Sequence, residues 1–460
     1  MSNIFSKEEL SKIFSQNISS DVFGICINSK EIQNGDLFVA LKGEKTDGHK
    51  FVKNAIDQGA ALALVEEKID LISEDKLIFV PSTYEALLKL AKYNLSQAKN
   101  TKYIAVTGSV GKTTTKNMIF HILNEVIKDN KIYVSKKNYN SQIGLPICAA
   151  IMPRDTKIAV FEMAMSSTGD IKKLLEIVNP TVSIITTIGE NHLEFFESPF
   201  DIAKAKSEIF EKGSEIAIIP NDSPYAEYLK DKAKKCGVKT IISFGEEKGA
   251  DVRILSCKFD NDFLIIKTDF FGTVIEYKLN CSNISFAQNS AAAISGAHFI
   301  SGIDLEILAN AISSFPTTSK RNEVIHIKGK NITIIDDSYN AAPTSMRAAL
   351  RSLGLRKSEG RKIAVMGDML ELGRNAVHLH ENLSATIDKY GIDVVFACGE
   401  LSKRLFNNLQ EQKRGDWKEN SHELAESVIK EIKNGDSVLV KGSHSMNMDY
   451  IVDVLKNNFA

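Results

Sequence analysis

Residues 103–116 read YIAVTGSVGKTTTK, and this stretch decides the fold. The apolar run 103–106 indicates a buried strand, small residues follow it, and Gly111, Lys112 and Thr113 precede a helical pattern. Strand, glycine loop and helix in this order form a cradle for phosphate, because backbone N–H groups and the helix N-terminus face the anion. Lys112 adds a positive charge, and the Thr113 hydroxyl suits Mg²⁺. Val106 stands where the first glycine of the standard Walker pattern falls, and this departure narrows the set of phosphate-loop families to which the chain can belong. The competing interpretation of the loop is an ordinary glycine turn.

Composition sets the outer limits on the class of protein. The 460 residues exceed what one core supports, so two or three domains are expected. Hydrophobic residues at 43%, charged residues at 25% and a net charge of -1 are typical of a soluble globular protein and do not indicate a nucleic-acid-binding or membrane-surface protein. The six cysteines are scattered without a C-x-x-C pair, which argues against a zinc site or a disulfide framework. Because a signal peptide and a bilayer-spanning run are both missing from the pattern, we expect a cytoplasmic enzyme without membrane insertion.

The pattern of elements predicts an α/β protein with three domains. Short apolar runs alternate with helical stretches throughout, which is typical of largely parallel sheets covered on both faces. Polar segments at 96–102 and 316–322 mark the boundaries. We therefore predict a small α/β N-terminal domain (1–99), a central P-loop-type domain with a mostly parallel sheet (100–315) and a C-terminal doubly wound, Rossmann-like domain (316–460). Residues 251–279 alternate more strictly and predict a small antiparallel insertion.

Two candidate metal ligands follow buried strands of the central domain. Glu162 ends the apolar run 158–161, and His192 follows the run 182–187. Ligands of parallel sheets lie beyond the carboxyl ends of the strands, where a carboxylate suits Mg²⁺ and an imidazole is a common metal ligand. The competing interpretations are an acid at a helix N-terminus for Glu162 and an ordinary loop histidine for His192.

Lys206 lies in a segment whose sequence clearly predicts a helix. Residues 199–210 predict a helix that Ser198 caps and that Pro199 begins. Lys206 shares the apolar face of Ile202, four residues before it, and Ile209, three residues after it. Burial lowers the pKa of a lysine and makes its neutral amine available for chemistry. On the pattern alone, a lysine whose stem packs while its head reaches water is favoured.

Further polar residues follow strands or open helices toward the C-terminus. Asp336 and Asp337 close the apolar run of IIDDSYNAAP, where they suit metal, ribose or amine contacts or simply cap a turn. Lys441 begins KGS after another strand and suits a phosphate or a carboxylate. Asn289, in AQNSAAA, opens a small-residue helix and by itself resembles a cap. Arg321 opens RNEV just after the second boundary.

Taken in order, these segments resemble the Mur ligase family over essentially the whole chain. The loop TGSVGKTTTK matches the family pattern T-G-x-x-G-K-T. Further stretches resemble the family member that adds D-alanyl-D-alanine, namely GDLFVALKGEKTDGHKF, NYNSQIGLP, DDSYNAAPTSM, MGDMLELG and LVKGS. The resemblance implies an ATP-dependent amide ligase of cytoplasmic peptidoglycan precursor synthesis, a monomer that uses ATP, two Mg²⁺ ions, UDP-N-acetylmuramoyl-tripeptide and D-alanyl-D-alanine. The three domains would bind the UDP-linked substrate, ATP and the incoming dipeptide, in that order, and the third would close on ATP.

The resemblance also implies roles for individual residues. Thr113, Glu162 and His192 would hold the metals, and Lys206 matches a lysine that carries a CO₂-derived carbamate as a further metal ligand. The implied catalytic set is Lys112, Lys206, His192, Glu162 and Asp337. The implied nucleotide-binding set is Gly108, Ser109, Val110, Gly111, Lys112, Thr113, Thr114, Asn289 and Arg321. The implied contacts to the other substrates are Ser29, Lys42, Gly43, Asp337 and Lys441.

The chain departs from the family pattern at several positions. Asn28-Ser29-Lys30 replaces Asp-Ser-Arg, Ala164 replaces the glycine of E-M-G, Ser285 replaces a histidine, and Ala342 replaces the second asparagine of N-A-N-P. A sister ligase for another amino acid or a folate polyglutamate ligase would share the loop and the carbamate lysine. A P-loop ATPase switch and a non-catalytic nucleotide-binding protein are the alternatives from other classes.

Overall fold

The computed structural model describes residues 3–43, 46–129, 131–136, 138–190, 193–316, 320, 322–327 and 329–459. The α-helices of these residues are α1 Lys7–Phe14, α2 Val52–Asp57, α3 Thr83–Gln97, α4 Lys112–Val126, α5 Gly144–Ala150, α6 Asp170–Leu175, α7 Pro199–Ser207, α8 Ala226–Lys235, α9 Phe286–Ser301, α10 Leu305–Ala311, α11 Pro343–Leu355, α12 Ala376–Glu381, α13 Leu383–Lys389, α14 Glu400–Asn407, α15 Ser421–Glu431 and α16 Asp449–Phe459. None of the helices in these ranges is long and apolar enough to cross a membrane.

The strands follow the same alternation along the chain. They are β1 Gly24–Cys26, β2 Asp36–Val39, β3 Leu62–Val65, β4 Leu77–Phe79, β5 Lys102–Thr107, β6 Ile132–Val134, β7 Ile158–Glu162, β8 Val182–Ile185, β9 Ile216–Pro220, β10 Thr240–Gly245, β11 Val252–Asp260, β12 Phe263–Phe270, β13 Thr273–Asn280, β14 Glu323–Ile327, β15 Ile332–Asp336, β16 Lys362–Gly367, β17 Val394–Cys398, β18 Arg414–Lys418 and β19 Ser437–Lys441. The predicted α/β class is confirmed. The chain divides into a first compact unit (1–105, 129–164 and 170–181) and a second compact unit (106–128, 165–169 and 182–460). The domain boundaries that we predict at 99/100 and 315/316 stay predictions.

The first compact unit contains a parallel sheet in the order β1-β2-β3-β4. Strands β2 and β3 are buried along their whole length, and apart from Asp36 their residues are apolar on both faces. Strands β6 and β7 pair in parallel in the same unit. Asn94 of α3 is fully buried, and its Nδ2 atom donates to the carbonyls of Ala149 and Met152, which ties α3 to the end of α5.

The second compact unit contains two sheets. In one, the order is β13-β12-β11-β10-β9-β8, with parallel pairing from β8 to β11 and antiparallel pairing from β11 to β13. The antiparallel insertion predicted at 251–279 is therefore confirmed. In the other, the order is β14-β15-β19-β16-β17-β18, parallel except for β14. Because β19 lies between β15 and β16, the order of the strands in the sheet departs from their order in the chain at this point, as in a doubly wound sheet.

The differences from the predicted elements have local causes. The sequence pattern does not identify β1, β6, β14 and β18, which are short or half-exposed and lie at the ends of their strand orders. It also misses β10, although that strand is apolar. The helix predicted at 199–210 is α-helical only to Ser207 and ends in a 3₁₀ turn over Glu208–Phe210. The predicted cap is confirmed, because Ser198 Oγ accepts the N–H of Asp201 at 3.3 Å.

Candidate active site

The phosphate loop, residues 108–114, joins the end of β5 to the start of α4. Gly108 and Gly111 adopt φ angles of +148° and +87°, which favour glycine. A Cβ atom at Gly108 would lie 2.0 Å from Thr186 Oγ1, and one at Gly111 would lie 2.4 Å from Asn289 Oδ1. Both glycines are therefore required by close neighbours, and Asn289 lies directly against the loop. The competing interpretation of Asn289 as a helix cap is wrong, since α9 begins three residues earlier, at Phe286.

Contacts from the segment after β8 hold the loop in shape. The N–H groups of Ser109 and Val110 donate to the carbonyl and to Oγ1 of Thr187, at 2.8 and 3.0 Å. Ser109 Oγ accepts the N–H of Gly189 at 2.9 Å. Lys112 Nζ donates to the Gly108 carbonyl at 2.8 Å, so the lysine folds back over the loop. The first turn of α4 offers N–H groups that have no carbonyl partner within their own helix, which is the arrangement that binds phosphate.

Lys206 is buried in α7, with 1% of its surface exposed. The interpretation in which its head reaches water is therefore wrong. Burial is the larger cause, and the positive charge of Lys112 the smaller cause, that hold the pKa of Lys206 well below the ordinary lysine value. Among the described residues no carboxylate forms an ion pair with it. Its amine is consequently disposed to be neutral, which is the form that reacts with CO₂.

A cavity of about 340 Å³ opens beside the phosphate loop in the second compact unit. Both apolar and polar side chains line it, so it can enclose a flat ring and also hydrogen-bond to it. It is lined by Val110, Gly111, Thr187, Glu246, Ile284, Ser285, Gln288, Asn289, Thr344, Ser345, Arg347, Ala348, Arg351, Thr386, Lys389 and Tyr390. The predicted nucleotide-binding residues Val110, Gly111 and Asn289 therefore share one cavity. Arg321 lies outside the described residues.

Asp337 and Lys441, which the sequence presents separately, form a buried ion pair. Asp336 of β15 pairs with Val440 of β19, so the residues that follow lie at the same edge of the sheet. Lys441 Nζ lies 2.6 Å from Asp337 Oδ2 and donates to the carbonyl of Asn340 at 2.9 Å. Asp336 instead accepts from the N–H and Oγ of Ser338, so turn capping holds for Asp336.

Glu162 is buried at the end of β7 in the first compact unit. Its Oε1 atom accepts from Asn140 Nδ2 at 2.7 Å. The interpretation as an acid at a helix N-terminus is wrong, because the next helix, α6, begins at Asp170. His192, the second candidate that follows a strand, lies outside the described residues.

The predicted uridine contacts lie beyond the carboxyl ends of β1 and β2, which are parallel neighbours. Ser29 is buried, and its Oγ accepts from Asn54 Nδ2 at 3.2 Å. Lys42 Nζ lies 3.1 Å from Glu66 Oε2, and the Gly43 N–H donates to the Thr46 carbonyl at 3.0 Å. The substituted residue Asn28 caps this turn, because its Oδ1 accepts the N–H of Lys30 at 3.1 Å. The asparagine thus supplies the same local bond as an aspartate.

Asp47, His49 and Glu67 of the first compact unit lie close enough to hold a metal ion. Both ring nitrogens of His49 are already used. Nδ1 lies 2.7 Å from Asp47 Oδ1, and Nε2 accepts the N–H of Glu66 at 2.9 Å. A ring that accepts at Nε2 and bonds to a carboxylate at Nδ1 is locked in one tautomer, so the cluster is a structural link.

The donor set around the phosphate loop fits Mg²⁺ and a nucleotide. Thr113 offers a hydroxyl, which is a hard oxygen ligand of the kind that Mg²⁺ prefers. Thr113 is half-exposed at the start of α4. Gly108 and Gly111 give the loop a backbone shape that a residue with a Cβ could not adopt there. These features suit triphosphate and Mg²⁺ together.

Several cavity residues carry no motif that marks them in the sequence. Arg347 and Arg351 are four residues apart on α11, and Arg351 makes a bidentate pair with Glu246. The i, i+4 spacing of the arginines predicts a shared helix face, but the pattern does not reveal which surface that face meets. At Ala342, where the family has asparagine, the backbone N–H donates to Ser345 Oγ at 3.0 Å, but the alanine offers no side-chain cap to the first turn of α11.

Comparison with known proteins identifies the family. Three family models match along the chain: a Mur ligase family catalytic domain at 21–101, a Mur ligase middle domain at 106–297 and a Mur ligase glutamate ligase domain at 320–444. The UDP-N-acetylmuramoyl-tripeptide–D-alanyl-D-alanine ligase of Rickettsia prowazekii is 34% identical over 93% of both chains. The ligase of the same name from Bacillus subtilis is 34% identical over 94% of this chain and 92% of its own.

Solved structures agree with these relatives. MurF from Acinetobacter baumannii superimposes with a TM-score of 0.87 at 28% identity, covering 98% of this chain and 99% of its own. MurF from Thermotoga maritima in complex with ADP gives a TM-score of 0.81 at 28% identity, covering 95% of this chain and 97% of its own. The chain therefore belongs to the Mur ligase family and is an ATP-dependent peptide ligase of peptidoglycan precursor synthesis.

Proposed function

We propose that this chain joins D-alanyl-D-alanine to the peptide of UDP-N-acetylmuramoyl-tripeptide, with ATP as the energy source. The observation that carries the ligase chemistry is the buried amine of Lys206, which has no carboxylate partner among the described residues and lies in the same compact unit as the phosphate loop and the Asp337–Lys441 pair. Relatives that are similar over more than nine-tenths of the chain bear the name of this reaction. The segments DDSYNAAP and MGDMLELG, which a sister ligase is not expected to carry, support the same substrate.

Lys206 is proposed to act as a carbamate. The neutral amine would attack CO₂, forming an N–C bond and releasing one proton to water, and the product would be an anion. A protonated lysine amine is positive, whereas a carbamate is negative. The Lys112 cation, which disfavours a protonated Lys206, would therefore stabilise the carbamate. With Thr113, Glu162 and His192, it would complete the oxygen and nitrogen donors for two Mg²⁺ ions, which neutralise the phosphate charge when bound.

The reaction proposed for these residues has two steps. The terminal carboxylate of the tripeptide attacks the γ-phosphorus of ATP, the bond to the ADP oxygen breaks, and Lys112 offsets the charge on the phosphates. The amine of D-alanyl-D-alanine then attacks the acyl carbon of the resulting acyl phosphate, and phosphate leaves as the amide forms. Asp337 is proposed to lie near the amine, held in place by Lys441, whose ammonium binds its carboxylate at 2.6 Å.

The decisive experiment measures phosphate release from ATP and Mg²⁺ with UDP-N-acetylmuramoyl-tripeptide, with and without D-alanyl-D-alanine. We expect release that requires both substrates and a product whose mass increases by one dipeptide residue unit. Faster release with a single amino acid in place of the dipeptide, or with a folate in place of the UDP-linked substrate, would favour a sister ligase or a folate polyglutamate ligase instead. Release without any acceptor would favour a P-loop ATPase switch, and no release would favour a non-catalytic nucleotide-binding protein. The monomeric state and the cytoplasmic location stay predictions.

A further inference from the structure

Arg351 and Glu246 form a two-pronged ion pair on the wall of the cavity beside the phosphate loop. Nη1 and Nη2 of Arg351 each donate to one oxygen of Glu246, and both distances are 3.0 Å. The side chains are one-third exposed. The bond to Glu246 raises the pKa of Arg351, so the guanidinium stays charged. A fork-to-fork pair restricts direction as well as distance, which a single lysine contact does not.

The position of the pair suggests what it does. The same cavity is lined by Val110 and Gly111 of the phosphate loop. Because phosphates bind at the loop and the N-terminus of α4, the remaining space is left for the nucleoside. Ile284, Ala348 and the ring of Tyr390 supply the apolar lining that a flat base needs. The Arg351–Glu246 pair therefore borders the space for the nucleoside.

Glu246 is held rigidly on its own side of the cavity. Its backbone N–H donates to Asp222 Oδ2 at 2.8 Å, directly after β10. The same Asp222 oxygen accepts from Gln288 Nε2 at 3.1 Å, so Asp222 links two residues of the lining. The carboxylate of Glu246 is thus presented from a fixed backbone. Arg351 is its partner on α11.

Helix α11 is attached to the surrounding segments along several turns. Arg347 Nη2 lies 2.7 Å from Glu190 Oε2, one turn before Arg351. Ser352 Oγ accepts the N–H of Ile284 at 2.9 Å, directly after Arg351. Arg351 lies between these contacts and is the residue among the three that pairs in bidentate form. The Arg351–Glu246 pair therefore joins α11 directly to the segment that follows β10.

We infer that Arg351 and Glu246 are positioning residues for the nucleoside part of the nucleotide. Both terminal nitrogens of Arg351 are used by Glu246, so the pair acts by fixing the position of α11, and that position sets the width of the cavity. The inference rests on the proposed function, in which the nucleotide is ATP. It predicts that loss of the pair weakens binding of a whole nucleotide but not binding of the phosphate chain alone.

The test compares ADP with inorganic triphosphate, each titrated by calorimetry in the presence of Mg²⁺. We expect Arg351→Ala to weaken ADP binding by roughly two- to fivefold, the loss typical of one partly exposed ion pair, and to leave triphosphate binding unchanged. The exchanged pair, Glu246→Arg with Arg351→Glu, is expected to recover most of the affinity. In turnover, KM for ATP rises while kcat changes little.

Lys232→Ala is the matched control, since Lys232 pairs with Glu211 at 3.1 Å with similar exposure but does not line the cavity. A thermal melt identifies any variant that fails to fold, and Arg351→Lys, which keeps the charge without the fork, then takes the place of Arg351→Ala. Unchanged ADP affinity, or an equal loss for ADP and triphosphate, overturns the inference alone. If the wild-type chain binds neither ADP nor ATP, the proposed function fails, and the inference fails with it.

Discussion

Lys206 and Lys441 are both buried lysines, with 1% and 3% of their surfaces exposed, but their neighbours differ. Lys441 contacts the carboxylate of Asp337 at 2.6 Å and the carbonyl of Asn340. Lys206 has no carboxylate partner among the described residues and lies within the field of the Lys112 cation. Burial is thus common to both, and the nearest charge decides whether the buried lysine supports an ion pair or offers a neutral amine.

The two buried lysines affect the stability of the fold in different ways. A paired buried lysine is costly to disturb, because removal of one partner leaves an uncompensated charge. The pKa of Lys206 is lower in the folded chain than in the unfolded chain, so the unfolded chain binds more protons between the two values. Stability therefore rises as the pH increases through that interval and is lost as the pH falls through the folded pKa of Lys206. A protonated Lys206 thus lowers the stability of the fold, and a neutral or carbamylated Lys206 would reduce that loss.

Replacement of Lys206 is expected to have the largest effect. If it carries a metal-binding carbamate, Lys206→Ala should lower the rate of phosphate release by about 10³-fold, or about 4 kcal/mol in the barrier. Short carboxylates such as acetate should restore part of the activity by taking the place of the carbamate. Lys204→Ala is the control, because Lys204 lies on the same helix but is exposed and paired with Asp201. Wild-type activity in Lys206→Ala would show that Lys206 supplies no carbamate that the reaction needs.

Removal of one partner of the Asp337–Lys441 pair should have the next largest effect. Lys441→Met leaves the Asp337 carboxylate buried and should lower the free energy of unfolding by about 3 kcal/mol. Lys441→Met combined with Asp337→Leu should recover much of this loss, since neither charge then remains buried. The measurement is denaturant unfolding of the two single variants and the double variant. Additive losses in the double variant would contradict the interpretation of Lys441 as a paired structural cation.

The sequence predicts the Lys441 side of this comparison less well than the phosphate loop. The loop is local: strand, glycines, lysine and helix lie within residues 103–116, so the pattern contains the geometry. Asp337 and Lys441 are more than a hundred residues apart and meet because β15 and β19 are parallel neighbours. Periodicity predicts that both strands exist but does not predict that they pair. The sequence therefore presents Asp337 and Lys441 as separate candidates and does not predict their ion pair.

The same reasoning explains the cavity wall and Lys206. Arg351 and Glu246 come from different elements and belong to no motif, so the pair depends on tertiary packing alone. The helical period places Lys206 on the apolar face of α7, but a period cannot show whether the chain above the helix leaves a path to water. The pattern favours a Lys206 amine that reaches water, whereas the packing buries it. Local physics thus predicts which face a residue occupies, and tertiary structure decides what covers that face.

Gly111→Ala tests how closely the phosphate loop is fitted to Asn289, and a smaller effect is expected. The φ angle of +87° costs a side chain about 1 kcal/mol, and the new Cβ would lie 2.4 Å from Asn289 Oδ1. We expect a loss of about 2 kcal/mol in unfolding free energy together with weaker ADP binding. Gly302→Ala is the control for strain alone, because Gly302 has a φ of +73° at the end of α9 and open space around it. Equal losses in the two variants would mean that Asn289 gives way freely.

Lys42→Met should have the smallest effect and extends the comparison to a lysine at the surface. Lys42 pairs with Glu66 at 3.1 Å, but 48% of its side chain is exposed, so water solvates both charges when the pair is broken. We expect the unfolding temperature to match that of the wild-type chain, as it should for Lys53→Met, a control that breaks another exposed pair. If Lys42 contacts the uridine nucleotide, KM for the UDP-linked substrate should rise by about threefold in Lys42→Met and stay constant in Lys53→Met. A loss of stability as large as that of Lys441→Met would mean that ion pairing, not burial, governs the cost of losing a lysine in this chain.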